Sequence, residues 1–312
     1  MKTVLFFRDF RRFSGGHLVV WHYFKHVTAS TSYRPRVSLT RTSVTEHNPW
    51  ASLPSEFVAG PGEIEGDVLF LAGLDWHRLP PERRRNPRAP TINLIQHLRH
   101  ADPGSARYQL LGHPAIRICV SNEVAEAIAA TGTVNGPILT ITPGVDVDRE
   151  PRTERPIDVF VGALKAPELG RRIAARLETP GRTVELVDRF TARRRFLGLV
   201  ARSKVAVLLP HRTEGFFLPA IEAMALETIL VCPDCVANRS FCIDGANCFR
   251  PAYDLGEIVA AAETASRSVD DLQPMIAAGR RTAATHSLAA QRAAFLDLLD
   301  RIDEVWEERT AA

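Results

Sequence analysis

The sequence lacks the features that mark membrane-spanning, secreted and strongly nucleic-acid-binding proteins. No uncharged apolar run approaches the ~20 residues that a membrane-spanning helix needs. The opening segment at residues 1–7 runs into charged residues without a cleavage-site pattern. The net charge of +3 is too small to argue for nucleic acid. We therefore expect a cytoplasmic protein without a signal peptide, with peripheral contact at a membrane surface as an alternative and nucleic acid as a disfavoured partner.

Cysteine is also scarce, with five residues in 312, which fits a reducing compartment. Four of them lie close together in the sequence, at Cys232, Cys235, Cys242 and Cys248. The first two have the C-x-x-C spacing that can bind zinc or perform redox chemistry. The second pair of a zinc pattern is missing, and Cys232 ends an apolar run in which a cysteine often packs as a small hydrophobic residue. Packing is the favoured interpretation, and metal binding stays open.

Two short runs of arginine stand out against the weakly basic composition. They are Arg83 to Arg85 and Arg193 to Arg195. A solvated face is the ordinary interpretation of such a run. Contact with a phosphate-bearing partner or with an anionic membrane surface is the alternative.

The length and the order of the predicted elements indicate two α/β domains. A chain of 312 residues exceeds what one hydrophobic core usually serves. Apolar, β-prone runs alternate with helical segments, which favours parallel, doubly wound sheets. The charged, proline-bearing stretch at 146–156 has the composition of a linker. We therefore predict two Rossmann-like, doubly wound domains at 1–148 and 157–287 that face a cleft, and a C-terminal helix in 288–312 that can cross back to the first domain.

The predicted elements follow this alternation along the chain. The predicted strands are at 2–7, 36–40, 67–72, 91–96, 115–120, 138–142, 157–161, 183–187, 205–209 and 229–232. The predicted helices are at 17–27, from 122 or 123 onward, and at 168–177, 190–202, 217–226, 255–265 and 288–308. Ser121 precedes one of these helices and is expected to cap it. In such sheets ligands bind outside the carboxyl ends of the strands, so the loops there are the expected sites.

The segment at 210–225 carries the clearest functional pattern. It reads Pro-His-Arg-Thr-Glu-Gly-Phe-Phe-Leu-Pro-Ala-Ile-Glu-Ala-Met-Ala and follows the apolar strand at 205–209. Gly215 permits close backbone approach, and the N–H groups at the start of the next helix suit a diphosphate. Glu214 precedes this helix, whereas Glu222 lies about one and a half turns inside it. Both carboxylates can therefore accept hydrogen bonds from the hydroxyl groups of one elongated ligand.

This segment resembles the Glu-x7-Glu signature of retaining GT-B glycosyltransferases, above all those of glycosyltransferase family 4. The family pattern runs Glu-Gly-Phe-Gly-Leu-Pro and then Glu-Ala-Met-Ala, and this chain keeps every element except that Phe217 replaces the second glycine. The resemblance implies that Glu214 contacts the donor sugar and that Glu222 contacts the ribose hydroxyl groups. It also implies that the backbone approaches the donor diphosphate at Gly215, Phe216, Phe217 and Leu218.

Further segments resemble family landmarks in the same order along nearly the whole chain. They are Ser14-Gly15-Gly16, Cys119-Val120-Ser121, Ile141 to Asp146, Asp158 to Gly162 and Asp244 to Cys248. The resemblance implies that the loop with Gly15 and Gly16 packs near the donor phosphates and the acceptor, although a plain turn explains two glycines equally well. The family holds the diphosphate with an arginine and a lysine. Here Lys165 is the candidate for one partner, with an exposed loop lysine as the alternative, and Arg212 can substitute for the other.

His97 ends the predicted strand at 91–96 and is followed closely by His100. The family often has a histidine after the corresponding strand, near the donor sugar. The resemblance therefore makes His97, with Glu214, the first choice for a catalytic role, and His100 the second choice. A surface histidine, or one whose hydrogen bonds are satisfied within the protein, is the alternative.

The resemblance implies a nucleotide-sugar-dependent glycosyltransferase that retains the anomeric configuration. The donor would be a UDP-sugar or a GDP-sugar, and the acceptor a hydroxyl group of a glycan, a lipid-linked sugar or another molecule. The only Asp-x-Asp is at 146–148, outside the predicted donor loop, so this interpretation requires no metal or other cofactor. Core packing is the more common role of tryptophan. The suggestive acceptor contacts are Trp50, Trp76, Arg83 to Arg85 and His100.

Two other functions stay open at this point. One is a GT-B nucleotide-sugar epimerase, against which the Glu-Gly-Phe-x-Leu-Pro sequence argues. The other is a nucleotide-sugar-binding protein without transferase activity, which Phe217 and the missing diphosphate arginine suggest. An epimerase needs no acceptor, and a binding protein releases no nucleoside diphosphate, so product analysis separates the three functions.

Overall fold

The computed structural model of the chain describes residues 1–60, 62–147, 154–267 and 269–308. Their contacts divide the chain into two compact units. Unit 1 combines Met1–Gly144 with Leu288–Ala312, and unit 2 is Val145–Ser287. Unit 1 is therefore discontinuous in sequence. Residues 148–153 of the predicted linker, Asp148 among them, lie outside the described residues.

Strands and helices alternate through both units. The strands are β1 (Lys2–Arg8), β2 (Tyr33–Leu39), β3 (Val68–Ala72), β4 (Thr91–Ile95), β5 (Ile116–Cys119), β6 (Ile138–Thr140), β7 (Ile157–Gly162), β8 (Val184–Val187), β9 (Ser203–Leu208) and β10 (Ile229–Val231). The helices are α1 (Gly15–Val27), α2 (Pro81–Arg85), α3 (Asn122–Ala129), α4 (Pro167–Leu177), α5 (Arg193–Ala201), α6 (Leu218–Ala225), α7 (Leu255–Arg267), α8 (Gln273–Thr285), α9 (Leu288–Asp300) and α10 (Ile302–Glu308). Among the described residues, no helix is both long and apolar enough to cross a bilayer.

Each unit contains one parallel sheet within the part of the chain that the structure describes. The unit 1 sheet has the strand order β2-β1-β3-β4-β5-β6, and the unit 2 sheet has the order β10-β9-β7-β8. All the strand pairs are parallel. The predicted α/β class with doubly wound parallel sheets is therefore confirmed.

The strand order creates a topological switch point in each sheet. In unit 1 the chain runs from β1 outward to β2 and then returns past β1 to β3. In unit 2 it runs from β7 outward to β8 and then returns past β7 to β9. The loops that follow the two central strands therefore leave in opposite directions, which opens a crevice at the carboxyl edge of the sheet. The residues after β1 and β3, and those after β7 and β9, are placed to bind ligands.

Local sequence signals explain where two of the helices start. The Ser14 hydroxyl accepts a hydrogen bond of 3.3 Å from the His17 N–H at the start of α1. The Ser121 hydroxyl accepts one of 3.3 Å from the Val124 N–H at the start of α3. A serine oxygen at this position satisfies an N–H group that has no partner inside the helix. The predicted cap at Ser121 is confirmed.

Aromatic side chains fill the core of unit 1. Phe6 stacks on Phe70 with ring centroids 4.6 Å apart, and Tyr23 meets Phe295 of α9 at 4.7 Å. The suggested contact of Trp50 and Trp76 with an acceptor is wrong, because their exposed fractions are 1% and 0%. Both indoles pack in the core, which was the more common alternative.

The helices differ from the prediction in their boundaries and in their number. The predicted helix at 190–202 begins only at Arg193, since Ala192 has an extended backbone and Phe190 is exposed. The predicted single helix at 288–308 is divided at Arg301 into α9 and α10, although the Arg301 and Val305 N–H groups still bond to carbonyls four residues earlier. Helices α2 and α8 were not predicted.

Candidate functional site

The loop at 209–217 connects β9 to α6 at the carboxyl edge of the unit 2 sheet. Its base is fixed because the Leu209 N–H donates to the Gly162 carbonyl of β7 at 2.9 Å. The loop then folds on itself. The Glu214 N–H donates to the His211 carbonyl at 3.0 Å, and the His211 N–H donates to Glu214 Oε2 at 3.3 Å. These bonds hold the Glu214 carboxylate at the mouth of the crevice.

Lys165 and Glu214 meet at the unit 2 switch point. Lys165 lies three residues after Gly162, the last residue of β7, and its Nζ is 3.3 Å from Glu214 Oε1. The lysine side chain is 50% exposed and the glutamate side chain 17% exposed. The pair is thus accessible, and it joins two residues that lie 49 positions apart in the sequence. The structure brings together two candidate donor residues that sequence spacing alone could not connect.

Glu222 lies inside α6 and is buried, with an exposed fraction of 5%. Arg193, at the start of α5, donates to Glu222 Oε1 from Nε at 3.2 Å and from Nη2 at 2.6 Å. Burial raises the pKa of the Glu222 carboxyl above its usual range of about 4.5, and the Arg193 charge opposes that rise. Arg193 Nη2 also contacts the Asp146 carbonyl at 3.3 Å.

Arg193 is the residue that the sequence analysis missed. It belongs to one of the two arginine runs for which a solvated face was the ordinary interpretation. Its neighbours Arg194 and Arg195 are exposed, as that interpretation predicts. Arg193, the first arginine of the run, is partly buried and contacts Glu222. The available signal was the position of this run in the first turn of the helix that precedes β9.

The start of α6 has no side-chain cap. Phe217 occupies the cap position and makes no side-chain hydrogen bond there. Its exposed fraction is 4%, so the ring is buried in the protein. Phe216 is also buried, and its ring lies 5.0 Å from the ring of Phe241 and 5.5 Å from that of His286. The two aromatic side chains therefore anchor the loop, and Gly215 before them is buried as well.

Arg212 lies on the outer side of the same loop. Its Cζ is 4.2 Å from the ring centroid of Tyr253, and its Nη2 donates to the Tyr253 carbonyl at 2.8 Å. The Tyr253 hydroxyl in turn donates to the Pro210 carbonyl at 2.7 Å. Tyr253 thus holds the guanidinium on the loop by stacking and hydrogen bonding. The phosphate contact of Arg212 stays a prediction.

In unit 1 the glycine loop lies against the end of β4. Gln96 Nε2 donates to the Gly16 carbonyl at 3.3 Å, and a Cβ at Gly16 would lie 3.4 Å from Gln96 Oε1. His97 follows Gln96, and its Nδ1 accepts the Arg99 N–H at 3.1 Å. In its neutral form His97 therefore carries its proton on Nε2. Gly15, Gly16 and His97 thus belong to one neighbourhood at the carboxyl edge of the sheet.

The environment of His100 does not fit the catalytic role for which it was the second choice. Its exposed fraction is 3%, and its Nδ1 lies 3.0 Å from the His97 carbonyl. Burial lowers the pKa of His100 to about 4, so its imidazole stays neutral. A side chain enclosed in this way cannot contact a sugar, which also removes it from the suggested acceptor contacts.

A buried charged network after β1 and β3 was not predicted. Arg8, the last residue of β1, donates from Nη1 to Asp75 Oδ2 at 2.8 Å, and its Nη2 lies 2.8 Å from His17 Nδ1. Burial raises the pKa of Asp75 to about 6, and burial together with the Arg8 charge lowers the pKa of His17 to about 4. This network occupies the unit 1 switch point, directly beside the glycine loop.

All five cysteines are free thiols and are buried. Asn238 Nδ2 donates to Cys232 Sγ at 3.1 Å, and burial raises the pKa of Cys235 to about 12. Across the described parts of the chain, no group of three or more His, Cys, Asp or Glu side chains is arranged to hold a metal ion. Cys242 interacts with the thiols of Cys232 and Cys248, so these three buried side chains lie together.

The chain was compared with known protein families, curated proteins and solved structures. No family model matches it, and no curated protein matches it. Among solved structures it is similar to HepE from Anabaena in complex with UDP-glucose, with a TM-score of 0.72, 14% identity, and coverage of 96% of this chain and 100% of that chain. It is also similar to sucrose-phosphate synthase from Thermosynechococcus elongatus, with a TM-score of 0.70, 14% identity and coverage of 97% and 100%.

A third similar structure is a glycosyltransferase from Rickettsia africae ESF-5, with a TM-score of 0.65, 10% identity and coverage of 96% of this chain and 98% of that chain. The similarity extends over nearly the full length in all three cases, whereas the sequences have diverged to 10–14% identity. The chain therefore has the GT-B fold, as predicted. Fold alone does not fix function, so the activity must be argued from the residues at the carboxyl edges of the two sheets.

Proposed function

We propose that the chain is a retaining glycosyltransferase of the family 4 type, which moves a sugar from a nucleotide-diphosphate sugar to a hydroxyl acceptor. The observation that carries the proposal is the meeting of Lys165 and Glu214 at the unit 2 switch point, with Glu222 on the next helix. The resemblance to family 4 implies donor contacts for these three residues. Since HepE was solved with UDP-glucose, a UDP-sugar is the first donor to test and a GDP-sugar the second.

The donor diphosphate would lie against the loop at 209–217. Lys165 Nζ is half exposed and bonds to Glu214 over a long 3.3 Å, so a phosphate oxygen can compete for it. The start of α6 has no side-chain cap. Pro219 has no N–H group and the Ala220 N–H donates to the Phe217 carbonyl, so the Leu218 N–H would be the helix contact to the same anion. Arg212 would supply the second cationic contact, replacing the arginine that the family places elsewhere. Gly215 to Leu218 would supply the close backbone approach.

The two glutamates would bind hydroxyl groups of the donor. Both hydrogen bonds from Arg193 end on Glu222 Oε1, which leaves Oε2 to accept a ribose hydroxyl. Arg193 acts as a positioning residue, because it fixes the carboxylate and compensates its buried charge. Glu214 would exchange its bond with Lys165 for one with a hydroxyl of the transferred sugar.

The chemistry would proceed by departure of the nucleoside diphosphate from the anomeric carbon. The C–O bond breaks, its electron pair stays on the phosphate oxygen, and positive charge develops on the sugar ring. Lys165, Arg212 and the N–H groups of the loop offset the negative charge on the leaving group. The acceptor hydroxyl attacks on the same face, and its proton passes to a phosphate oxygen. No metal is part of this proposal, because the chain's own cations supply the charge.

Unit 1 would bind the acceptor, and unit 2 the donor. His97 would donate its Nε2 proton to a hydroxyl oxygen of the transferred sugar, and the loop with Gly15 and Gly16 would lie beside it. The epimerase and the non-catalytic binding protein are the competing functions. No residue contact favours either of them.

The proposal is tested by titrating the full chain with UDP-glucose and GDP-glucose while following its thermal unfolding. A ligand at 100 times its Kd stabilises a protein by ~2.7 kcal/mol, so a clear rise in Tm is expected with at least one donor. Glu222→Ala and Glu214→Gln should abolish or reduce the rise. Glu185→Gln, on the exposed surface of β8, is the matched control and should keep it.

Turnover is then measured as release of nucleoside diphosphate with a panel of hydroxyl acceptors. Acceptor-dependent release with transfer of the sugar supports the transferase. Conversion of the sugar without any acceptor would establish the epimerase instead. Binding without release, across many acceptors, would replace the enzyme with a binding protein, and an absence of binding to every nucleotide sugar would refute the donor site itself.

A further inference from the structure

A pocket lies at the carboxyl edge of the unit 1 sheet, apart from the donor loop of unit 2. It has a volume of about 340 Å³ and is lined by Leu39, Thr40, Arg41, Gly62 and Arg78. Leu39 is the last residue of β2, and Arg78 follows β3. The pocket therefore opens where ligands bind in open parallel sheets, next to the switch point between β1 and β3. Its volume falls within the range of ~300–1,000 Å³ that is typical of small-molecule sites.

Among the described residues, no carboxylate is in direct contact with the Arg78 guanidinium, and the Asp75 charge, which is paired with Arg8, acts on Arg78 only from a longer distance. Its Nη2 donates to the Ser38 hydroxyl at 3.0 Å, and its Cζ lies 5.8 Å from the ring centroid of Phe7. Its Nη1 is buried and has no hydrogen-bond partner. A neutral hydroxyl and an aromatic ring stabilise a guanidinium only in part, and a buried donor without an acceptor is costly. The environment of Arg78 thus favours an anion nearby.

Arg41 adds a second positive charge at the rim of the same pocket. It is exposed, and neither Arg41 nor Arg78 forms an ion pair with a carboxylate among the described residues. The nearby carboxylates already have other arginine partners. These pairs are Arg8–Asp75, Arg11–Asp9 and Arg36–Glu63. Two guanidinium groups therefore remain without a direct carboxylate partner around one concave surface. The Thr40 hydroxyl does not add a donor, because it already donates to Asp9 Oδ1 at 2.6 Å.

We propose that this pocket binds a phosphate group of the acceptor, so that the preferred acceptor is a phosphorylated molecule rather than a neutral glycan. This inference rests on the proposed function, since it takes the carboxyl edge of unit 1 as the acceptor side. Guanidinium groups match the geometry of phosphate oxygens and bind them through paired hydrogen bonds. A phosphate monoester carries about −1.5 to −2 charges at pH 7, which two arginines balance. A carboxylate would balance only one of them.

The inference is tested by isothermal titration of the full chain in the presence of saturating UDP, which occupies the donor site. The soluble probes are inorganic phosphate, glucose 6-phosphate, glucuronate and glucose. Phosphatidate vesicles, with phosphatidylcholine vesicles as their reference, distinguish a lipid headgroup from a soluble phosphate ester. We expect glucose 6-phosphate or phosphatidate to bind, and glucose to bind at least about tenfold more weakly, because a hydrogen bond to a charged group contributes roughly one factor of ten or more.

The variants Arg41→Gln, Arg78→Gln and Arg78→Lys locate the binding. Each glutamine variant should bind the phosphate-bearing probe about tenfold more weakly than the wild type. The lysine variant keeps the charge but loses the paired N–H donors of the guanidinium, so its affinity should lie between those of Arg78→Gln and the wild type. Arg292→Gln removes the same charge from an exposed residue of α9 outside the pocket and should leave the affinity unchanged. Because Arg41 is exposed, its variant should fold normally, and circular dichroism verifies this for all four.

Three results would overturn the inference. The first is equal affinities for glucose and glucose 6-phosphate with no binding of phosphatidate. The second is a loss of affinity in Arg292→Gln as large as that in the pocket variants. The third is a preference for glucuronate over the phosphorylated probes. The Tm rise with UDP-glucose should be the same in the wild type and the pocket variants. If that rise is absent in the wild type, the proposed function fails; if it is present while no phosphorylated probe binds, only the acceptor inference fails.

Discussion

Replacing Arg193 by glutamine should destabilise unit 2 and make its stability depend on pH. Arg193 makes both of the described hydrogen bonds to the Glu222 carboxylate, through Nε and Nη2. The glutamate side chain is only 6% exposed, whereas the arginine side chain is 30% exposed. The substitution therefore leaves a buried negative charge without its cation, while the reverse substitution leaves a cation that water can reach.

The expected magnitude follows from this asymmetry. Breaking a buried ion pair by removing one partner costs ~3–5 kcal/mol, and the partial exposure of Arg193 reduces the expectation to ~2–3 kcal/mol at pH 7.5. Glu222→Gln should cost ~1 kcal/mol or less, because it removes the buried charge itself. Adding Glu222→Gln to Arg193→Gln should restore most of the lost stability, which gives a coupling free energy of ~2–3 kcal/mol.

The pH dependence has a defined sign. Burial already raises the pKa of Glu222 in the folded state, and loss of the Arg193 charge raises it further. A carboxyl group whose pKa is higher in the folded than in the unfolded state favours folding below its unfolded pKa, and this contribution is lost as the pH rises through the folded pKa. The loss of unfolding free energy caused by Arg193→Gln should therefore be smaller at pH 5 than at pH 7.5. The difference should be ~1.4 kcal/mol for each unit by which the substitution raises the pKa of Glu222.

The assay can separate the two units. All four tryptophans, Trp21, Trp50, Trp76 and Trp306, lie in unit 1, whereas four of the five buried cysteines lie in unit 2. Urea unfolding followed by thiol labelling should show the shift in unit 2, while tryptophan fluorescence reports unit 1. If Arg193→Gln costs no more than Glu222→Gln, or if its cost is the same at pH 5 and pH 7.5, the assigned role of the pair is wrong.

Three further predictions concern the donor site and the packing of each unit. Lys165→Gln should weaken UDP binding by about tenfold in calorimetry, since it removes one charge-assisted contact. Lys204→Gln, at the opposite edge of the sheet, should leave UDP binding unchanged. Equal losses of affinity in the two variants would contradict the role of Lys165. Gly170→Ala should lower the free energy of unfolding by ~1–3 kcal/mol, because a Cβ there would lie 2.1 Å from Ala163 Cβ. Helix propensity alone predicts that the same change raises the free energy of unfolding by ~1 kcal/mol, so a higher Tm would contradict the packing argument. Phe295→Ala should cost ~3–5 kcal/mol and shift the fluorescence transition of unit 1 without changing the thiol-labelling transition of unit 2; a shift of both transitions would show that α9 does not act within unit 1 alone.

The fold was predictable because its signals are local. Buried parallel strands have continuous apolar sequences, and helices that begin after serine have a side-chain acceptor for their first N–H groups. Strand β5 shows the limit of this reasoning. Arg117 lies in the middle of β5 and has an exposed fraction of 0%, with its pKa lowered by burial to about 9. A charged residue in a strand normally marks a solvated face. Arg117 is instead accommodated by backbone carbonyls, by Asn93 and by the Trp76 ring, whose centroid lies 5.7 Å from its Cζ.

The candidate site was predictable where its residues share one segment, as Glu214 and Glu222 do. It was not predictable where contacts join distant segments. Arg193 and Glu222 are 29 residues apart, and Arg8 and Asp75 are 67 residues apart. Each of these arginines looks like an ordinary surface charge in the sequence, because the partner carboxylate is determined by the strand order and not by spacing. The position of Lys165 next to Glu214 depends on the strand order in the same way.

The discontinuity of unit 1 has a consequence for synthesis of the chain. Residues 145–287 contain every segment of unit 2, so that unit can complete its core as soon as they have left the ribosome. Unit 1 begins first but cannot finish, since Phe295 of α9 must still arrive to cover Tyr23 and Phe70. During that interval an apolar face of the nascent protein stays open to solvent and to chaperones. The half of the molecule that emerges earliest is thus the half that matures last.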